Sequence, residues 1–168
     1  MKILLCGDIN SGKTTLIKRL VADMDAAPKG YITVRMPEID GVSKVYLYDI
    51  ANPPERVEDA AVIMAISTHG TEKHPELLDT LGVRYLSDIP AGSVVVLDEI
   101  GSLESASPEF QKAVMRALSG DYTVLAAVKA ANTDFLRAVR RHPDCELYII
   151  TPENREALYA QLKDEYGI

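Results

Sequence analysis

Gly7-Asp8-Ile9-Asn10-Ser11-Gly12-Lys13-Thr14 is a full match to the phosphate-binding loop pattern GxxxxGK[ST]. The residues before it, Lys2-Ile3-Leu4-Leu5-Cys6, read as a short buried strand, and 13–23 carry apolar residues at helical spacing. Strand, Gly-rich loop and helix in that order form the context the motif requires. The two glycines let the loop wrap an anion without side-chain clashes, and backbone N–H groups then point at it. The helix adds the positive end of its dipole. Gly7 through Thr15 are therefore the expected nucleotide contacts, with Lys13 reaching the outer phosphates and the Thr14 hydroxyl binding Mg²⁺.

Working outward, strands and helices alternate. Lys29–Val34 and Lys44–Ile50 read as strands joined by a turn around Asp40-Gly41. Segments 57–66 and 74–81 read as helical or loop-like. Ser93–Leu97 is a near-continuous apolar strand, and Ser-Pro-Glu opens a helix over Ser107–Leu118. Then come a strand at Tyr122–Val128, a helix from about Thr133 to Arg141 and a last strand at Glu146–Ile150. Thr151 is expected as N-cap and Pro152 as first residue of a C-terminal helix. Buried strands alternating with helices predict one α/β domain, a mostly parallel sheet covered on both faces. With 168 residues and 47% hydrophobic content, the chain has enough apolar surface for one sizeable core.

The second chemical element is Val94-Val95-Val96-Leu97-Asp98-Glu99. An apolar strand running into an acid is the Walker B pattern, which delivers Asp98 beside the phosphate loop at the carboxyl end of the sheet. Asp98 is the expected Mg²⁺ ligand, because that ion takes a few carboxylates together with phosphates and waters. Glu99 is placed like a general base that orients the attacking water, and with Lys13 it makes up the expected catalytic pair.

Other features narrow the class. Asp98-Glu99-Ile100-Gly101 fits the DxxG element of GTPases, yet no Asn-Lys-x-Asp guanine reader follows. Leu118-Ser119-Gly120 is a fragment of the transporter-ATPase signature, on the wrong side of Walker B. Arg56 and Arg84 alone do not make the Arg-rich lid of a small-molecule kinase. A net charge of −7 with no basic stripe argues against nucleic acid, and Arg137, Arg140 and Arg141 read as a solvated helix face. No apolar run approaches the roughly 18 residues of a membrane span, and the N-terminal apolar stretch is too short for a secretory signal. A cytoplasmic protein with no membrane partner is expected, in which Cys6 and Cys145 stay unpaired. His69 and His74, with Glu72 and Glu76, lack metal-ligand spacing, and Tyr46 and Tyr48 share one strand face as sheet packing.

The phosphate loop extended by Thr15, the run Val-Val-Leu-Asp-Glu-Ile-Gly-Ser-Leu-Glu at 95–104, and Thr-Pro-Glu-Asn-Arg-Glu-Ala-Leu at 151–158 together resemble the small P-loop nucleoside-triphosphatase family. That family includes thermophile bacterial and archaeal enzymes and the human cancer-related nucleoside-triphosphatase. The resemblance covers about two thirds of the chain, leaving 51–92 outside it. Glu104, Ser107 and Phe110 occupy the family's places for an acid, a serine and a phenylalanine after Walker B. Gly30-Tyr31-Ile32-Thr33-Val34-Arg35 is similar to its Gly-Phe-x-Thr segment, without the acid that precedes the family's arginine. The resemblance implies slow hydrolysis of nucleoside triphosphates such as ATP, GTP and CTP, with little base preference. Asn154 and Arg155, in the loop after the last strand, are the base-contact candidates, a stacked guanidinium holding any base weakly. A kinase or nucleotide-dependent switch, with 51–92 holding an acceptor, is the alternative. Oligomeric state is not legible from the sequence.

Overall fold

A computed structural model of the chain describes residues 1–101 and 103–168. Eight strands form one sheet in the order β5-β4-β3-β2-β6-β7-β1-β8. Strands β1 (Lys2–Cys6), β6 (Val94–Ile100), β7 (Thr123–Val128) and β8 (Glu146–Ile149) are parallel, and β2 (Lys29–Arg35) joins them through three residues paired with β6. The other end of β2 pairs antiparallel with β3 (Val42–Asp49), which leads on to β4 (Ala61–Ser67) and β5 (Gly70–Lys73). A parallel sheet with an antiparallel extension is the mostly parallel α/β architecture expected from the alternation of elements.

Side-chain alternation sorts the central strands into two cores. Leu4, Leu97 and Ala126 face one side, where α4 (Pro108–Ser119) and α5 (Asp134–Arg140) supply Phe110, Val114, Leu118, Leu136 and Val139. Ile3, Leu5, Val96 and Leu125 face the other, against Leu16, Ile17 and Leu20 of α1 (Lys13–Asp23) and Leu158 and Leu162 of α6 (Arg155–Tyr166). Tyr48 joins this second core, consistent with sheet packing. Both cysteines are free. Among the described residues, no helix is long and apolar enough to cross a membrane.

Three expectations are adjusted. The segment 57–66 is not helical: a single 3₁₀ turn (Val57–Asp59) gives way to β4, and β5 follows. The apolar run Ala61–Ile66 fits a helix or a strand, and pairing with β3 decides for the strand. The segment 74–81 is helical but continues to Tyr85, as α2 (Pro75–Leu77), a π-helical turn (Leu78–Gly82) and α3 (Val83–Tyr85). The C-terminal helix begins at Arg155, with Asn154 as its cap, and not after Thr151. The Thr151 hydroxyl does accept the Asn154 N–H (3.3 Å), so it caps the turn that leads into the helix. Asn154 tightens that turn, its Oδ1 accepting from Thr151 N (2.8 Å) and its Nδ2 donating to the Ile149 carbonyl (2.9 Å).

Candidate active site

The phosphate loop runs from the end of β1 into α1, held between the carboxyl ends of β7 and β8. Its two motif glycines have steric reasons to be glycine. A Cβ at position 7 would lie 2.2 Å from the Ile150 carbonyl oxygen, and one at position 12 would lie 2.5 Å from Arg155 Cδ. Gly12 also has φ 100°, which side-chain-bearing residues avoid, and Asn10 has φ 64°. The Lys13 ammonium donates to the carbonyls of Gly7 (2.7 Å) and Asp8 (2.6 Å). Burial lowers the Lys13 pKa, and the facing Glu99 carboxylate opposes the shift.

Strand β6 delivers the acids. Asp98 is fully buried; its Oδ1 accepts from the Thr14 hydroxyl at 2.7 Å, while its Oδ2 is buried without a hydrogen-bond partner. Burial pushes its pKa up to about 6, against the Thr14 hydrogen bond, which pulls it down. The Thr33 hydroxyl donates to the Asp98 carbonyl (3.2 Å), tying β2 to the same point. The register between β6 and β7 shifts after Leu97, and Glu99 has φ 75°. This irregularity turns Glu99 out of the buried run into the cleft, where its carboxylate pairs with Lys129. Further on, Glu104 is buried with Oε2 unpartnered, and burial raises its pKa to about 7.

A cleft of about 520 Å³ opens over these groups. Of the residues expected from the sequence, Ile9, Asn10, Gly12, Lys13, Thr14, Thr15, Glu99 and Arg155 line it. Gly7, Asp8 and Ser11 form the loop behind, Asp98 lies beneath, and Asn154 spends both ends of its amide on the backbone turn. Thr33, Arg35, Glu104 and Lys129 line the cleft as well, and Val45, Ile63 and Met64 of the antiparallel strands wall it. Lys129 has no motif around it; it is placed here because it follows β7, which pairs with β6. Arg140 is not a purely solvated residue, since it donates to the carbonyls of Lys129 and Ala131, both at 3.0 Å. A second cleft of about 790 Å³, lined by residues such as Tyr48, Asp49, Arg84 and Tyr85, shares no lining residue with the first.

A strand-loop-helix cradle facing a buried strand-end aspartate, on a sheet with helices on both faces, defines a P-loop NTPase fold. The same fold occurs in the crystal structure of THEP1 from the hyperthermophile Aquifex aeolicus (TM-score 0.74, 21% identity, 96% of each chain). The solution structure of a human cancer-related nucleoside triphosphatase shares it too (TM-score 0.66, 21% identity, 96% of this chain and 94% of that one). In sequence, the nucleoside-triphosphatase THEP1 of Methanothermobacter thermautotrophicus is 26% identical over 176 residues, 99% of this chain and 97% of that protein. The one from Thermofilum pendens is 39% identical over 95 residues, 55% of this chain and 52% of its own length. The sequence model of the NTPase family matches residues 2–163, including the stretch 51–92 that showed no resemblance by motif. The chain belongs to this NTPase family, and is an enzyme that hydrolyses nucleoside triphosphates.

Proposed function

We propose that the cleft performs Mg²⁺-dependent hydrolysis of a nucleoside triphosphate to diphosphate and phosphate, with broad tolerance of the base. The observation that carries this reading is the Thr14–Asp98 pair. A hydroxyl and a carboxylate 2.7 Å apart, with one carboxylate oxygen buried and unpartnered, form an all-oxygen donor set suited to a hard divalent cation. Thr14 and Asp98 would hold Mg²⁺, directly or through water, and the ion would supply charge neutralisation at the phosphates. Lys13 exchanges the Gly7 and Asp8 carbonyls for the outer phosphate oxygens, and the N–H groups of the loop cradle the rest. Glu99 orients the water and accepts its proton as the oxygen attacks the γ-phosphorus.

Base tolerance follows from what lies on the base side. Asn154 is occupied by the backbone, which leaves Arg155, whose stem covers Gly12, as the base contact. A stacked guanidinium recognises a flat ring and not its edge. ATP, GTP and CTP should therefore be hydrolysed with specificity constants within about tenfold of one another, roughly 1.4 kcal/mol.

The test separates the two acids. Asp98→Asn should weaken Mg²⁺-dependent binding of a nonhydrolysable triphosphate, whereas Glu99→Gln should bind it normally and slow turnover about 10²-fold or more. Calorimetry and phosphate release on the same preparations decide it. Equal loss of binding in both variants would remove the division of roles.

A further inference from the structure

Strand β7 lies between β6 and β1, so the residue that follows it emerges between Asp98 and the phosphate loop. That residue is Lys129. Its backbone is fixed from two sides: its N–H donates to the Ile100 carbonyl (2.9 Å), and its carbonyl accepts from the Arg140 guanidinium (3.0 Å). Its aliphatic stem lies across Gly101, where a Cβ would come within 2.9 Å of Cδ and 3.4 Å of Nζ. The ammonium so aimed pairs with Glu99 inside the cleft that Lys13 and Thr14 also line.

Two ammonium groups thus enter one small cleft. Lys13 is bound to loop carbonyls and Lys129 to the carboxylate assigned to water. Glu99 reaches that pair only through a left-handed φ of 75° at an irregularity in the sheet. Strain of this kind persists where the surroundings enforce it, and it collects at sites of function.

We propose that Lys129 is a second phosphate-binding cation, which leaves Glu99 for the γ-phosphate when a triphosphate enters and so frees the Glu99 carboxylate to take the water. This rests on the assignment of Glu99 made above. The Lys129–Glu99 pair opens for a triphosphate and closes again over a diphosphate. In the step it serves, the water oxygen bonds to the γ-phosphorus while the bond from that phosphorus to the β–γ bridging oxygen breaks. The electron pair of the broken bond leaves with the diphosphate, and the water proton passes to Glu99 and on to solvent. Lys129 stays protonated throughout and lowers the barrier by charge alone.

Lys129→Met keeps the stem over Gly101 and removes the charge. Calorimetry in Mg²⁺ with ADP and with the β,γ-imido analogue of ATP reads the contact without turnover. ADP affinity should stay within about twofold of wild type, analogue affinity should fall about tenfold, and kcat should fall about 10²-fold. Lys129→Arg should restore most of the analogue binding. Equal weakening of ADP and analogue would make Lys129 a strut of the cleft, and unchanged analogue affinity would leave it paired to Glu99; either result overturns the proposal. If Lys129→Met does not fold, Gly101→Ala displaces the stem and should give the same split at smaller size, with equal losses again overturning it. A wild-type chain that binds the analogue but releases no phosphate from ATP would sink the hydrolase reading and leave this binding comparison standing.

Discussion

The two halves of the sheet are built for different work. In the parallel half, Ile3, Leu4 and Leu5 of β1 and Val95 through Asp98 of β6 are wholly shielded from solvent, with helices packed on both faces. In the antiparallel half, all four residues of β5 are exposed and β4 buries only Ile63. The phosphate loop, both acids and Lys129 hang from strand ends of the shielded half. The outer strands contribute the wall made by Val45, Ile63 and Met64. The groups assigned to the reaction are thus mounted where packing fixes the backbone. The wall needs only to be present.

The contrast can be broken first at a buried leucine. Leu4→Ala leaves a cavity under α4 and α5 and should cost about 2–5 kcal/mol, read as a lower urea midpoint. A cost below about 1 kcal/mol would mean that the parallel half relaxes as freely as the outer strands.

A second test uses the buried acid between β6 and α4. Burial raises the Glu104 pKa from 4.5 to about 7. In that window the folded state keeps a proton that the unfolded chain has released. Its contribution is therefore fully present below about pH 4.5, declines as pH rises, and is lost above about pH 7. Glu104→Gln, which cannot ionise, should match the wild type near pH 4 and be more stable at pH 8 by up to about 3 kcal/mol. Thermal melts at the two pH values check this, and an equal effect at both would show that Glu104 is not held neutral by its surroundings.

The smallest change belongs to the outer edge. Thr71→Ala in exposed β5 should shift stability by less than about 0.5 kcal/mol and leave turnover unchanged. A larger loss would show that the edge strand supports the cleft wall after all.

The same contrast explains what was legible beforehand. Strands shielded on both faces are continuous apolar runs, so β1, β6 and β7 stood out, and with them the loop and the acids at their ends. Ala61–Ile66 is an apolar run too, but a run of that length fits a helix as well as a strand, and what makes it a strand is pairing with β3, whose register shifts between Val45 and Tyr46. Gly70–Lys73 is polar throughout and becomes a strand only because β4 offers it an edge. The start of the last helix was misplaced because Thr151-Pro152 has the composition of a cap, while Asn154 ties the intervening turn to the backbone. Lys129 went unnoticed for a topological reason. No local pattern says that the strand after α4 inserts between β6 and β1, and that insertion alone brings its end to Glu99.

Of the three residues of β2 that join the two halves, the middle one has no room for a side chain. At Gly30 the φ is 108°, a Cβ would fall 2.1 Å from the Val96 carbonyl oxygen, and the Gly30 carbonyl accepts the N–H of Ile50. In evolutionary terms, position 30 is a closed door. Every side chain there meets both a forbidden backbone region and the main chain of the Walker B strand, so no neutral path of single substitutions passes through it. The point from which the outer strands grow is thereby fixed opposite Val96.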